Sequence, residues 1–136
     1  MADTVSPAQR SVNMSKIRAK DTKPEMIVRR LLHRAGYRYR LHRHDLPGKP
    51  DIVFGSRRKA IFVHGCFWHQ HSDTACLDGR RPKSNTDYWN IKLARNIERD
   101  ERNRAALMGQ GWDILVIWEC EVRDPNLLDR LTAFLD

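Results

Sequence analysis

Apolar residues near the start of the chain recur at helical spacing. Ile27, Val28, Leu31, Leu32 and Ala35 fall on one face, which predicts a helix. Thr22-Lys23-Pro24-Glu25 ahead of them has the form of a capping box, with Thr22 as N-cap and Pro24 inside the first turn. Gly36 is the expected stop. A shorter helix is expected over Ser11 to Arg18, presenting Met14 and Ile17, behind a loose arm at residues 1–10. After Gly36 the period changes, and Tyr37 to Leu41 alternates as a strand would. Leu46-Pro47-Gly48-Lys49-Pro50 reads as a turn. Asp51 to Phe54 and Ala60 to His64 are short apolar runs joined by Gly55-Ser56-Arg57-Arg58-Lys59, the pattern of a β-hairpin. Residues 65–85 show no period. Asp87 to Gln110 reads as a long helix with Tyr88, Ile91, Ala94 and Ile97 at i, i+3 spacing, ended by Gly111. Trp112 to Trp118 is expected as a buried strand in which Trp112 and Trp118 only pack. Asp124-Pro125 opens a last helix through Leu127, Leu128, Leu131 and Leu135. The order predicts one α/β domain over residues 1–136, with a mixed sheet covered by helices.

Composition narrows the partners. Of 136 residues 40% are apolar, enough for one core, and 25 Lys+Arg against 17 Asp+Glu leave a charge of +8. A small basic domain is attracted to polyanions, and nucleic acid is the usual one. No apolar run approaches the roughly 20 residues that span a bilayer, and Met1 to Arg10 has no signal-peptide core. A soluble intracellular protein is expected. In a reducing compartment three cysteines favour metal ligation or plain burial over disulfides.

Two constellations carry chemistry. Cys66-x4-His71-x4-Cys76, with Cys120 far downstream, supplies the Cys3His set that tetrahedral structural zinc takes. His64 and His69 are rival ligands, and the plainer alternative is small buried cysteines beside a surface histidine. The irregular stretch 65–85 needs an anchor of this sort inside a compact domain. The second constellation is Gly48-Lys49-Pro50-Asp51, a carboxylate at a strand start where Mg²⁺ could be held near a phosphate. Pro-Asp is a common turn pair. Its weight here comes from His64 and His69 beyond the partner strand, where an imidazole could serve as general base or acid. Phe67-Trp68 and Tyr88-Trp89 could belong to the core or stand as wedges between base pairs. The charged run Arg95 to Arg104 is most simply a solvated helix face with one or two arginines on phosphate.

The pieces occur together in one family. Over about residues 10–122 the chain resembles the very-short-patch-repair (Vsr) endonucleases. The matching stretches are Arg10-Ser11-x-Asn13-Met14, Asp21-Thr22-x-x-Glu25, Leu46-Pro47-Gly48-Lys49-Pro50-Asp51 and Ile61-Phe62-x-His64-Gly65-Cys66-Phe67-Trp68-His69. Asn96-x-x-Arg99-Asp100 and Gly111-Trp112-x-x-Leu115-x-x-Trp118-Glu119-Cys120 continue the match. The resemblance implies a restriction-endonuclease-like mixed central sheet flanked by helices, with a variant PD-(D/E)xK motif and a structural zinc site. It implies Mg²⁺-dependent nicking of duplex DNA at T:G mismatches left by deamination of 5-methylcytosine, which starts very short patch repair. By matching position, Asp51 and the backbone carbonyl of Val63 would hold Mg²⁺, His69 would assist the attacking water, and His64 would contact the scissile region. Glu25 would act beside them, while Cys66, His71, Cys76 and Cys120 would hold Zn²⁺. Phe67, Trp68 and Trp89 would wedge into the duplex, with Met14 and Ile17 reaching from the other groove and Lys49, Asn96 and Arg99 as further DNA contacts. Two departures stand out. Val63 replaces the Thr often found in the family. His69-Gln70-His71-Ser72-Asp73-Thr74-Ala75-Cys76 replaces a denser His run, so the last loop ligand falls farther along. The implied substrate is mismatched double-stranded DNA, the protein a monomer in the bacterial cytoplasm at the nucleoid, and other repair proteins its partners. Two other functions fit the same residues: a Vsr-like site-specific or mobile-element nuclease without mismatch preference, and a zinc-stabilised DNA-binding module without catalysis. Asp51 speaks against the last, because the turn has no structural need for an acid.

Overall fold

A computed structural model describes residues 22–71 and 84–136. The arm, the expected Ser11 to Arg18 helix with Met14 and Ile17, and Cys76 lie outside the described residues. The first described helix, α1 (Lys23–Arg34), starts and stops as the sequence predicts. Thr22 Oγ1 accepts the Glu25 N–H at 3.4 Å, and Pro24 occupies the first turn. Gly36 takes a φ of +93° just beyond the C-cap Ala35, where a side chain would be strained. Gly36 N–H bonds to the His33 carbonyl and Tyr37 N–H to the Leu32 carbonyl. The capping box is only half made. The Glu25 carboxylate turns inward instead of back to its cap, and Glu25 is 2% exposed.

Among the described residues four strands form the sheet, in the order β1 (Arg40–Leu41), β2 (Ile52–Phe54), β3 (Lys59–His64) and β4 (Asp113–Trp118). β1–β2 and β2–β3 are antiparallel, with Leu41 opposite Ile52 and Ile52 opposite Ile61. β3 and β4 are parallel in a register running from Lys59↔Asp113 to His64↔Trp118. A parallel neighbour needs a crossover, and the chain makes it through a single helical turn, α2 (Cys66–His69), and the long helix α3 (Thr86–Gly109). A 3₁₀ turn (Glu119–Arg123) then leads into α4 (Leu127–Leu135).

Period-two alternation divides the core between the sheet's faces. Ile52, Phe54, Ile61 and Ile117 meet Val28 and Leu32 of α1 and Leu127, Leu131 and Leu135 of α4. Val53, Ala60 and Phe62 meet Leu46, Leu107 of α3 and Trp112. The expected mixed sheet covered by helices is therefore observed. Arg57 and Lys59 of the hairpin donate to the carbonyls of Leu135 and Phe134, placing cations at the C-terminus of α4.

Three elements differ from the sequence reading. The strand expected at Tyr37 to Leu41 shortens to Arg40–Leu41, the two residues that pair with Val53 and Ile52 of the three-residue β2, while Tyr37 and Tyr39 set their rings edge-on to Phe54. The buried face of α3 is Leu93, Asn96 and Leu107, while Tyr88 and Ile91 are each 55% exposed. β4 buries only Ile117 completely, since it lies at the sheet edge.

Candidate active site

The turn between β1 and β2 delivers Asp51 to the sheet. Gly48 and Lys49 take φ of +77° and +50° in succession. A side chain at Gly48 would also collide, its Cβ falling 3.0 Å from Asn103 Cβ and 3.1 Å from the Phe62 ring. Asp51 precedes β2 and so stands beside the C-terminal end of antiparallel β3. There its Oδ2 accepts the Val63 N–H at 2.7 Å. Glu25 enters from the first turn of α1 and His42 from the end of β1. His42 Nε2 lies 2.8 Å from Glu25 Oε2, and Arg29 Nη1 lies 3.3 Å from the same oxygen. One donor atom each from Glu25, His42 and Asp51 lie within 4.8 Å of one another, a set able to hold a dication. Burial pushes the Asp51 carboxyl up to about 7. The Val63 N–H works against that rise, and the Glu25 charge adds to it. A buried Asp51 that resists ionisation beside a second buried acid suits a cation as its counter-charge.

Beside this pair, at the C-terminal end of β3, the His64 and His69 rings stack 3.9 Å apart and 8° from parallel. His69 Nδ1 sits 2.5 Å from Asp100 Oδ2, a carboxylate from α3. Burial acts to raise the Asp100 pKa, but the hydrogen bond and charge of His69, with His64 and Arg99, hold it below the ordinary carboxylate value. Burial, reinforced by His69, depresses the His64 pKa to about 3, so this imidazole is neutral. His64 Nδ1 is buried without a hydrogen-bond partner among the described residues. Both groups line one cleft of about 900 Å³, together with Lys49, Phe67, Trp68, Asn96 and Arg99.

A third cluster lies behind the histidines. The α2 turn ends at Gln70, whose φ of +50° swings the chain so that the His71 N–H returns to the Cys66 carbonyl. His71 Nδ1 is then 3.8 Å from Cys66 Sγ and 3.4 Å from Cys120 Sγ. A tetrahedral zinc with Zn–S of about 2.3 Å and Zn–N of about 2.0–2.1 Å separates S and N by about 3.6 Å, so the three described donors fit zinc. His64 and His69, the rival ligands, are drawn instead into the group with Asp100. The Cys66 N–H donates to Glu119 Oε1 at 3.2 Å, tying the turn to the end of β4. Trp118, expected only to pack in the core, is half-buried. It stacks on His71 at 4.4 Å and meets His64 edge-on at 5.2 Å. Trp112 does pack in the core.

Phe67, Trp68 and Trp89 form a ring cluster with centroids 5.0–6.0 Å apart. They are half-buried, belong to neither apolar core cluster, and extend to the exposed Tyr88 through Trp89. Asn96, expected as a DNA contact, is buried and donates from Nδ2 to the Trp68 carbonyl at 3.0 Å, bracing the turn against α3. Arg99 and Lys49 are exposed. Sequence reasoning missed Asp100, His42 and the position of Trp118. Asp100 had a signal, an acid one helical turn beyond Asn96 and therefore on the same face. His42 had none.

Comparison with known proteins supplies the family. Residues 2–75 match the family model described as DNA mismatch endonuclease Vsr. The chain is 53% identical to the type II nicking enzyme V.XorIIP of Xanthomonas oryzae pv. oryzae, over 100% of this chain and 98% of that protein. It is 38% identical to the DNA mismatch endonuclease Vsr of Escherichia coli, over 99% of this chain and 88% of that one. The catalytic domain of the homing endonuclease I-Bth0305I superposes with a TM-score of 0.58 at 19% identity, covering 84% of this chain and 94% of that chain, a likeness of fold. With its family model matched and relatives aligned along nearly its whole length, the chain belongs to the Vsr family of DNA mismatch endonucleases.

Proposed function

We propose that the protein nicks duplex DNA at T:G mismatches by Mg²⁺-dependent phosphodiester hydrolysis, and that one Zn²⁺ at Cys66, His71, Cys120 and Cys76 holds the site together. The observation that carries the catalytic part is the meeting, in one cleft, of the Asp51–Glu25 carboxylates with the His69–Asp100 pair. Asp51 and Glu25 would hold the Mg²⁺. Within a β-strand the N–H and C=O of one residue point to the same edge, so the Val63 carbonyl shares the side on which its N–H meets Asp51. A carbonyl ligand of this sort needs no threonine hydroxyl. When bound, Mg²⁺ would supply positive charge to the phosphate and lower the pKa of a water.

The chain's own groups do the rest. Asp100 accepts from His69 Nδ1, which leaves Nε2 able to take the proton of an attacking water. The neutral, stacked His64 keeps a nitrogen for the scissile phosphate or its leaving oxygen. Phe67 and Trp68, which line the cleft, and Trp89 packed on them would enter the base stack beside the weakly stacked wobble pair. The name of the Escherichia coli relative supports the mismatch as substrate.

The test is nicking of a T:G duplex against its C:G twin, with Mg²⁺ or EDTA, for wild type and Asp51→Ala. Wild type should nick the T:G duplex preferentially and only with metal. Asp51→Ala should lose several kcal/mol of transition-state stabilisation, about 10²–10⁴-fold in rate, while still shifting DNA in a gel. Equal nicking of both duplexes would sink the mismatch reading, and an active Asp51→Ala the catalytic one.

A further inference from the structure

The chain leaves β1 through His42 in a conformation that costs a non-glycine residue energy. Its φ is +48°, and its N–H is pinned to the Asp51 carbonyl at 3.1 Å. Such backbone persists where the surroundings over-determine it, most often at functional sites. Here it lays the imidazole over the two carboxylates, with Nε2 2.8 Å from Glu25 Oε2 and the side chain only 13% exposed. Octahedral coordination at about 2.1 Å places neighbouring donors about 3 Å apart, so the Glu25–His42 spacing is already that of two adjacent ligands. The third donor, from Asp51, lies within 4.8 Å of both.

We infer that His42 is a metal ligand, so that this cleft presents two carboxylates and one imidazole to its cation. The inference rests on the reading of Asp51 and Glu25 as metal-binding and adds a nitrogen donor to it. The consequence is a change of preference. Mg²⁺ takes oxygen ligands and gains little from imidazole, whereas Mn²⁺, Co²⁺ and Fe²⁺ accept the mixed set. The cleft should therefore bind Mn²⁺ well above Mg²⁺, through His42. The rival role for His42 is to donate to Glu25 and aim it without touching the metal.

The zinc-loaded, full-length protein, stripped of other dications, is titrated with Mn²⁺ and followed by electron paramagnetic resonance. Manganese is the probe because the Cys66–Cys120 thiolates disfavour it. The wild type should bind Mn²⁺ at least about tenfold more tightly than Mg²⁺ measured by competition, and pulsed spectra should show coupling to an imidazole nitrogen. His42→Gln keeps an amide able to donate to Glu25. It should lose about tenfold or more in Mn²⁺ affinity and the nitrogen coupling, with Mg²⁺ affinity little changed. Absence of nitrogen coupling in the wild type overturns the inference without any variant, and so does unaltered Mn²⁺ affinity in a folded His42→Gln protein. Asp51→Asn separates the two levels. If it loses Mn²⁺ while His42→Gln does not, only the nitrogen ligand falls. If Asp51→Asn binds Mn²⁺ like wild type, the cleft is not the metal site and both readings fall.

Discussion

At the scale of single residues, the site is made of carboxylates doing different work in different surroundings. Asp51 is buried beside Glu25, which pushes its pKa to about 7 from an ordinary 3.8. A folded-state pKa above the unfolded one means the folded protein binds more protons between the two values. The stability contribution is then present in full below about 3.8 and lost as pH rises through about 7. In Mg²⁺-free buffer, thermal melts of wild type should accordingly show stability falling across this window relative to Asp51→Asn. At pH 8, Mg²⁺ should raise the melting temperature of the wild type and leave Asp51→Asn unmoved. Parallel pH profiles for the two proteins would contradict the burial argument. Asp100 is the opposite case, held ionised by His69. Asp100→Asn keeps the shape but allows the wrong imidazole tautomer, a change that costs the order of 10²–10⁴-fold where a base depends on its carboxylate. Single-turnover nicking should fall by that order with the melting temperature within a few degrees of wild type. Near-normal nicking would remove His69 from the role of base.

At the scale of elements, the parallel β3–β4 pair is what joins the two chemical centres. Its register sets His64 opposite Trp118. Beyond those residues the strands run into the Cys66 turn and Cys120, respectively. The outcome is a continuous row of rings, His69 on His64, His64 against the edge of Trp118, and Trp118 on His71. Trp118 therefore touches a zinc-ligand candidate and a catalytic candidate at once. Trp118→Ala should speed zinc release to a chromophoric chelator and lower the nicking rate by about tenfold at a temperature where the protein is folded, since supporting partners of metal ligands are commonly worth 10–100-fold. Trp118→Phe, which keeps a ring, should recover much of both. A variant that merely melts earlier, with zinc and rate intact per folded molecule, would return Trp118 to the role of core packing.

At the scale of the whole molecule, a charge of +8 supplies attraction to phosphate that is blind to sequence. Discrimination must come from elsewhere, and the half-buried Phe67–Trp68–Trp89 cluster beside the cleft is the surface suited to it. Inserting rings costs roughly a few kcal/mol of unstacking per step, less at a wobble pair, so under the proposed function the wedge would favour T:G over C:G. Trp68→Ala should lower the ratio of T:G to C:G nicking and reduce DNA bending seen by fluorescence, while the salt dependence of binding stays as in wild type. No change in that ratio, together with an early melt, would make Trp68 a packing residue.

Local chemistry is written in the chain where a single segment can express it. The cap at Thr22, the stop at Gly36, the hairpin of β2 and β3 and the extent of α3 follow from neighbours within a few residues. So does the convergence of Asp51, His64 and His69, because a hairpin brings its own ends together. Resemblance to the Vsr family, carried by His64-Gly65-Cys66-Phe67-Trp68-His69 and Trp118-Glu119-Cys120, identified the chain from sequence alone. Tertiary structure decided what depends on packing between distant segments. The i, i+3 spacing of Tyr88 and Ile91 suggested the wrong face of α3, because Asn96 and Asp100 are turned inward by the α2 turn and His69. Local spacing marked Glu25 only as a cap residue, and the family resemblance alone put it near the site; its partner there, His42, is brought to it across 17 positions by β1. Trp118 looked like core until the edge position of β4 left its ring against two histidines. Spacing along a chain measures local period, whereas these choices were made by which surfaces the sheet brought face to face.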